Sequence, residues 1–512
     1  MQAEAITKGG AGRPPRDAAI PRTWWLYPAI LLATLAIRAP TLGDLNYHID
    51  EGFYLLVGDR MRDGLLPYID IWDRKPFGLF LLYRMLATLG DGSVVAVQIA
   101  AGLSAAATAM LVAAIARRWT APPAALLAAI AYLAGLEAMA GGGGQSPVFY
   151  NLPVAAMAWW TLKAGDAHDL AHVRRCAFPA VLCGGIALTI KQTSLAECLF
   201  FGGMLVVHLR RLGPRTGTVV RDAALLALVG ALPSLLCLGF YAAIGHGPDY
   251  LFATLFSSFG RAPMAWGERI ALATYLVPRI VPLLAVAVAG IALLLRRADA
   301  RDGAWILAGW IGAAVAGFLM VPNFYDHYAL PLLPGLCVAA AALFARRPLG
   351  PVFAALAIAS ALMLAGWPAL DRTRRTNAAM RTTAQTITAH GGDRSLYVFD
   401  GPVQLYTMTQ APLPTRRVFP EHLSTAEEHA ATGTDTTAEL ARILRTRPAV
   451  IVAADRPGAR HPDRAAWAML RTTLANDYDR VGEVAMPEFS GARTIGVFAR
   501  DPDRRTDSPA RD

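Results

Sequence analysis

The run Pro76-Phe77-Gly78-Leu79-Phe80-Leu81-Leu82-Tyr83-Arg84-Met85-Leu86-Ala87-Thr88-Leu89-Gly90 is apolar except for Arg84. Whether it crosses a membrane decides the topology of the whole chain. Around it, the first two-thirds of the 512 residues is a series of apolar stretches. Each is roughly 17–25 residues long, enough to cross about 30 Å of hydrocarbon. Hydrophobic residues make up 55% and charged residues 17%, and mean hydropathy is +0.38. That composition excludes an ordinary soluble protein.

Charge parity decides the Pro76–Gly90 run. The first apolar stretch, from about Trp24 to Ala39, follows a basic tail that places its start in the cytoplasm. Later stretches run over Ser93–Ile115, Ala121–Met139, Val148–Leu162, Phe178–Ile190, Thr193–His208, Ala223–Ile244, Ile270–Leu295, Ala304–Met320, Tyr328–Ala345 and Pro351–Trp367. Alternate connections are basic: Arg117-Arg118, Lys163 to Arg175, Arg210 to Arg221, Arg296 to Arg301 and Arg346-Arg347. The others are poor in Lys and Arg. If Pro76–Gly90 crossed, every basic connection would fall outside, against the positive-inside rule. It is therefore expected to lie at the interface as an amphipathic helix. The same test splits Phe178–His208 into two short spans turning at Lys191 and Gln192.

The expected fold is a polytopic α-helical membrane protein with about 11 transmembrane helices and a small C-terminal α/β extracytoplasmic domain. Residues 1–23 read as a disordered cytosolic tail, too polar for a signal peptide. Residues 24–370 form the transmembrane part, with 41–92 as the first outer loop. Residues 371–512 carry short strands such as Ser395–Phe399 and Ala449–Ala453 between helical stretches, which reads as the soluble α/β domain, outside by parity. There is no internal repeat.

The net charge of +10 follows the cytoplasmic loops and does not indicate a nucleic-acid partner. The cysteines Cys176, Cys183, Cys198, Cys237 and Cys337 lie in or beside apolar segments with no CxxC. No disulfide framework and no zinc site is expected.

Chemistry concentrates in the first outer loop: Tyr47-His48-Ile49-Asp50-Glu51-Gly52, Gly64-Leu65-Leu66-Pro67-Tyr68, and Asp70-Ile71-Trp72-Asp73-Arg74-Lys75-Pro76. A carboxylate at the membrane surface can take a proton from an incoming hydroxyl. A Lys there can hold a lipid phosphate as a point charge. Lys191, near an apolar zone, is expensive without a functional role or a route to the headgroups. His327 and Tyr328 beside Asp326 can hydrogen-bond a ligand, though an interfacial aromatic belt also explains them. Glu137 lies near the outer end of its span. Arg261 and Glu268 lie in a long outer loop. No Gly-rich phosphate loop follows a strand, so no nucleotide site is expected.

The order Asp50-Glu51, Gly64 to Tyr68, and Asp73-Arg74-Lys75-Pro76 before an apolar interfacial stretch resembles the GT-C superfamily. The likeness is to the branch of protein O-mannosyltransferases, lipid A aminoarabinose transferases and lipopolysaccharide core galacturonosyltransferases. Thr189-Ile190-Lys191-Gln192 resembles the membrane-edge Lys motif of that branch. His327-Tyr328 before Leu330-Pro331-Leu332-Leu333-Pro334 resembles its late-span motif, and the tail strands resemble its outer domain.

The resemblance implies a polyprenyl-phosphate-linked sugar donor and a lipid, polysaccharide or protein acceptor, with transfer on the outer face of the cytoplasmic membrane. It implies Asp50 as base, Glu51 as the acid that positions donor or acceptor, and Lys75 and Lys191 on the donor phosphate. Tyr47, His48, Tyr68, Asp73, Arg74, Gln145, Asn151, His327 and Tyr328 are the further substrate-binding candidates. Some relatives bind a divalent metal and others do not; no cofactor or metal ligand set is assigned. One departure is visible. The loop Gly141-Gly142-Gly143-Gly144-Gln145-Ser146-Pro147-Val148-Phe149-Tyr150-Asn151 carries amides where many relatives carry a second acid, and an amide is no base at neutral pH. The rivals are a lipid-linked-sugar transporter or flippase, whose ionisable groups would sit at the bilayer midplane, and a non-catalytic membrane scaffold.

Overall fold

The computed structural model describes residues 23–501 except 91–92, 263–264, 322–323 and 489–490. The expected tail over 1–23 lies, Thr23 apart, outside the described residues. Helix α1 (Leu26–Arg38) leads into the outer loop, which holds α2 (Ile49–Arg60) and α3 (Phe77–Ala87). The bundle continues through α4 (Ser93–Ala116), α5 (Pro122–Ala138), α6 (Ser146–Gly165), α7 (Leu170–Ile190), α8 (Leu195–Arg211) and α9 (Thr216–Ala243). A short α10 (Gly247–Leu251) precedes α11 (Trp266–Leu295), α12 (Arg301–Leu319), α13 (Leu332–Phe344) and α14 (Leu349–Leu364).

Among the described residues, six helices are long and apolar enough to cross a membrane. Four more apolar helices beside α3 are shorter: Leu26–Thr41, Pro122–Ala138, Leu332–Phe344 and Leu349–Leu364. The expected count of about eleven is thus not reached by length and composition. Three starts are corrected. Helices α7 and α9 begin at Leu170 and Thr216, not at Phe178 and Ala223, running on into the basic connections. The span expected over Tyr328–Ala345 begins only at Leu332, because Asp326–Ala329 forms a 3-10 turn and Pro331 has no N–H to continue it. Helix α3 has 11 residues, about half the rise needed for a crossing. Large apolar side chains such as Leu199, Leu236, Leu356 and Met363 are 61–79% exposed. In water such faces would aggregate; in a multi-pass membrane protein they meet lipid.

After α14 the chain turns through α15 (Leu370–Ala389) into a mixed sheet of β1 (Leu396–Asp400), β2 (Val450–Ala454), β3 (Tyr478–Glu488) and β4 (Gly491–Arg500), in the order β1-β2-β4-β3. Strands β1 and β2 pair in parallel; the β2–β4 and β3–β4 pairs are antiparallel. Between β1 and β2 lie α16 (Leu405–Thr409), α17 (Glu421–Ser424) and α18 (Thr436–Arg445), and α19 (Arg464–Asp477) follows β2. Successive side chains of a strand point to opposite faces. Leu396, Val398, Val450 and Val452 therefore join Met380 and Ile387 of α15 in the main core. Tyr397, Phe399, Ile451 and Ala453 join Leu440, Ile443, Trp467 and Leu470 of α18 and α19 in a second core. Both faces are covered, which is why β1, up to its last residue Asp400, and β2 are apolar rather than alternating.

The C-terminal unit is fastened to the first outer loop. Asn377 accepts from the Leu45 N–H and donates to the Gly43 carbonyl. Arg60 donates to the Ala411 carbonyl, and the Trp72 N–H to the Arg416 carbonyl at 2.7 Å. The main core runs without a break from the helical bundle into this unit.

Candidate active site

A cavity of about 550 Å³ lies between the outer loop, the Lys191 turn, the segment before α13 and the C-terminal unit. Asp50, in the first turn of α2, lines it. His48 caps that helix: its Nδ1 accepts from the Asp50 N–H at 3.2 Å, satisfying one of the donors a helix start leaves open. Gln145 Nε2 lies 2.7 Å from the same nitrogen and donates to Asp50 Oδ2 at 3.3 Å. His48 Nδ1 is thus an acceptor, and burial lowers its pKa to about 4, so the ring is neutral. His327 Nε2 stands 3.8 Å from Asp50 Oδ2. Burial works to raise the Asp50 pKa, but Lys75 foremost, then the two histidines and Gln145, hold it well below the usual carboxylate range.

Lys75 is placed by its own loop. The Tyr68 hydroxyl donates to the Lys75 carbonyl at 2.6 Å, and Asp73 Oδ1 accepts from the Lys75 N–H at 2.7 Å. Its ammonium lies 5.3 Å from the Tyr54 ring centre. Lys191 sits in extended backbone between α7 and a 3-10 turn, with φ −155°. Gln192 beside it donates to the carbonyls of Arg74 and Thr254. The Lys191 ammonium lies 4.2 Å from the Tyr328 ring centre, a cation–π contact. Burial first, then Lys75, lowers the Lys191 pKa to about 7. Among the described residues neither ammonium has a carboxylate oxygen within 4.0 Å.

The two lysines converge because α3 and the end of α7 touch at Gly78. A Cβ there would overlap the side chain and carbonyl of Thr189. Gly78→Ala is expected to destabilise the protein by about 1–3 kcal/mol by overpacking. Thermal unfolding in detergent checks this.

The roof comes from the C-terminal unit. Trp72 and Phe53 hold His422 and Phe419 through edge-on ring contacts at 4.7–6.4 Å. Burial pushes the His422 pKa down to about 3, so this ring too is neutral. Glu428, 1% exposed at its side chain, is bound by Arg74 and by Arg261. Burial opposes its ionisation, yet Arg74 and Arg261 lower its pKa to about 2. The depressed pKa means this contribution to stability is complete above the unfolded value near 4.5. It is lost only as pH falls toward about 2. Glu428→Gln is expected to cost about 3 kcal/mol, since two half-buried guanidinium groups lose their buried countercharge. Limited proteolysis checks this through earlier cleavage of the C-terminal unit.

Of the residues singled out in the sequence, Tyr47, His48, Asp50, Asp73, Arg74, Lys75, Lys191, His327 and Tyr328 line the cavity. Four do not. Glu51, one position on from Asp50, points about 100° away around the helix and meets the glycine run; a Cβ at Gly143 would overlap its carboxylate. Burial raises its pKa to about 8, so Glu51 is neutral at pH 7. Tyr68, with φ 69°, is buried against Tyr241 and Tyr250. Gln145 is buried behind His48 and Asp50. Asn151 is buried where it donates to the Leu330 carbonyl. Glu137 lies 4.0 Å from Arg38, which donates to the carbonyls of Gly141, Gly142 and Gly143. The glycine run is thus pinned rather than loose. Sequence reading missed Glu421, His422 and Glu428 altogether. Nothing local in Phe419-Pro420-Glu421-His422 announces a site; only the fold-back onto Trp72 brings it there. Among the described residues no group of three or more His, Cys, Asp or Glu is arranged to hold a metal ion.

No family model matches the chain, and no curated protein matches it. Solved structures do. ArnT from Cupriavidus metallidurans bound to undecaprenyl phosphate superposes with TM-score 0.62 at 17% identity, covering 93% of this chain and 98% of that one. The chain shares its fold with that ArnT structure. The apo state of the same ArnT gives the same values. An Archaeoglobus fulgidus oligosaccharyltransferase, tethered with an acceptor peptide, gives TM-score 0.48 at 10% identity over 84% of this chain and 69% of that one; a likeness at that score carries no argument. The likeness to ArnT extends across nearly the whole of both chains.

Proposed function

We propose that the protein is a membrane glycosyltransferase that moves a sugar from a polyprenyl phosphate to a hydroxyl of an envelope lipid, a polysaccharide or a protein on the outer face of the cytoplasmic membrane. The observation that carries this is the meeting of Lys75, Lys191 and Asp50 on one cavity, with both ammonium groups lacking a carboxylate partner among the described residues. Two such cations ask for an anion, and the ArnT structure of the same fold was solved with undecaprenyl phosphate.

In this reading the phosphate binds between Lys75 and Lys191, and its isoprenoid chain lies along the apolar helices. The phosphate offsets the pull of Lys75 on Asp50 and brings the carboxylate back toward ordinary basicity. The acceptor hydroxyl gives its proton to Asp50 as its oxygen bonds to the anomeric carbon. The bond from that carbon to the phosphate oxygen breaks, its electron pair leaves on the phosphate, and the configuration inverts. The lysines stabilise the leaving charge where it develops. Gln145 and His48 hold Asp50 in place. Glu51, neutral and turned inward, supports the Gly143–Gly144 backbone and does not meet the reactants.

The test is transfer itself. The purified protein in nanodiscs, given polyprenyl-phosphate sugars and an extract of envelope acceptors, releases polyprenyl phosphate and forms one glycosylated product. Translocation of the intact donor without product would favour a flippase.

A further inference from the structure

The carboxylates lining the cavity have partners, with one exception. Asp50 accepts from Gln145, Asp73 from the Lys75 N–H, Asp326 from the His327 N–H, and Asp400 from Arg493. Among the described residues Glu421 alone of these has neither a hydrogen bond nor an ion pair within 4.0 Å. Its backbone position is held. It opens α17 between Phe419-Pro420 and His422, and the Phe419 and His422 rings pack against Phe53 of the outer loop.

We infer that Glu421 accepts hydrogen bonds from hydroxyls of the sugar carried by the lipid phosphate, and so selects which sugar the cavity holds. The inference rests on the glycosyl-transfer reading above and names the substrate group that site reads. With the phosphate on the lysines and the anomeric carbon facing Asp50, the remaining ring hydroxyls extend toward the roof, where Glu421 is the unsatisfied acceptor. Two carboxylate oxygens suit a pair of vicinal hydroxyls. A neutral polyol fits better than a cation, because Arg261 already supplies positive charge in the field of Glu421. Burial raises the Glu421 pKa to about 7, with Glu428 and Asp50 adding to the rise, which puts it in the same compartment as the base. A site built to pair a hydroxyl rejects sugars that lack it, because the acceptor, cut off from water by the bound sugar, is left unpaired. This supplies from the C-terminal unit the second acid that the Gly141–Asn151 loop lacks.

The experiment compares the wild type with Glu421→Gln and Glu421→Ala in nanodiscs. The probes are undecaprenyl phosphate and a panel of undecaprenyl-phosphate hexoses and pentoses with their deoxy analogues. The wild type is expected to hold at least one glycosylated lipid about tenfold tighter than the bare phosphate, and both variants to lose that preference. The Kd for bare undecaprenyl phosphate stays within about twofold in all three. Variants that keep the preference, or a wild type that shows none, overturn the inference. A wild type that does not bind undecaprenyl phosphate at all overturns the glycosyl-transfer reading, and this one with it.

Discussion

Asp50→Asn is expected to lower sugar transfer by about a thousandfold, within the range ascribed to a positioned general base, without weakening lipid-phosphate binding. The asparagine keeps the shape of the side chain, and the α2 cap stays intact because it uses the Asp50 N–H and His48 rather than the carboxylate. What is lost is the group that takes the proton. The sign on binding discriminates this role from a structural one. Asp50 competes with the phosphate for the field of Lys75, so the amide leaves that lysine freer and the Kd for undecaprenyl phosphate unchanged or lower. Initial rates and a binding titration on the same preparation separate the effects. A variant that transfers at near wild-type rate removes Asp50 from the mechanism; one that loses binding together with turnover points to a collapsed site.

Lys191→Ala is expected to raise the Kd for a polyprenyl-phosphate sugar about 10- to 100-fold, the worth of a charge-assisted contact in a dry site. Lys75→Ala should weaken binding as well, with a second consequence: Asp50 and Asp73 lose the cation that faces them, so stability falls too. The pH dependence belongs to Lys191. Its pKa near 7 means the free site carries the full positive charge only below about pH 7. A phosphodiester donor keeps one negative charge throughout, so its affinity is greatest below pH 7 and falls above it. Bound phosphate raises the lysine pKa, and the decline ends where the bound form titrates. Glu421 ionises in the same interval, and Lys75, Asp50, Asp73 and His327 also face this space. Lys191→Arg isolates the lysine, because the guanidinium stays charged. The arginine variant should bind with a flatter profile between about pH 6 and 8, about one pH unit either side of the lysine midpoint. An unchanged slope in that variant would assign the dependence to Glu421 instead.

Much of the architecture was legible because the membrane imposes length and charge rules on the sequence. The apolar runs give the helices in order, though α7 and α9 start seven to eight residues earlier, in the basic connections; α7 ends at Ile190 and α8 resumes at Leu195, around the Lys191 turn that alternating basic loops require. The acid-rich loop carries Asp50 and Lys75 in one local motif, so their juxtaposition needs little tertiary information. Side-chain direction did not follow so directly. Asp50 and Glu51 are adjacent in sequence, yet the turn of α2 sends one to the cavity and buries the other against Gly143. Tyr68 shapes the Lys75 loop through its hydroxyl rather than touching the cavity. Gln145, expected on the substrate, donates to Asp50 instead. The roof was illegible for a different reason. Glu421, His422 and Glu428 arrive only after more than three hundred residues of intervening chain, as in the Arg74–Glu428 contact with a separation of 354. No local period or composition encodes that fold-back.

The central claim is glycosyl transfer to the envelope, and it can be tested without knowing donor or acceptor. Mass spectrometry of envelope lipids, polysaccharides and exported proteins would compare a deletion strain of the source organism with strains complemented by the wild type or by Asp50→Asn. The account predicts that one glycosyl mass disappears on deletion, returns with the wild type and does not return with Asp50→Asn. Identical envelopes in all strains, or restoration by Asp50→Asn, would contradict it.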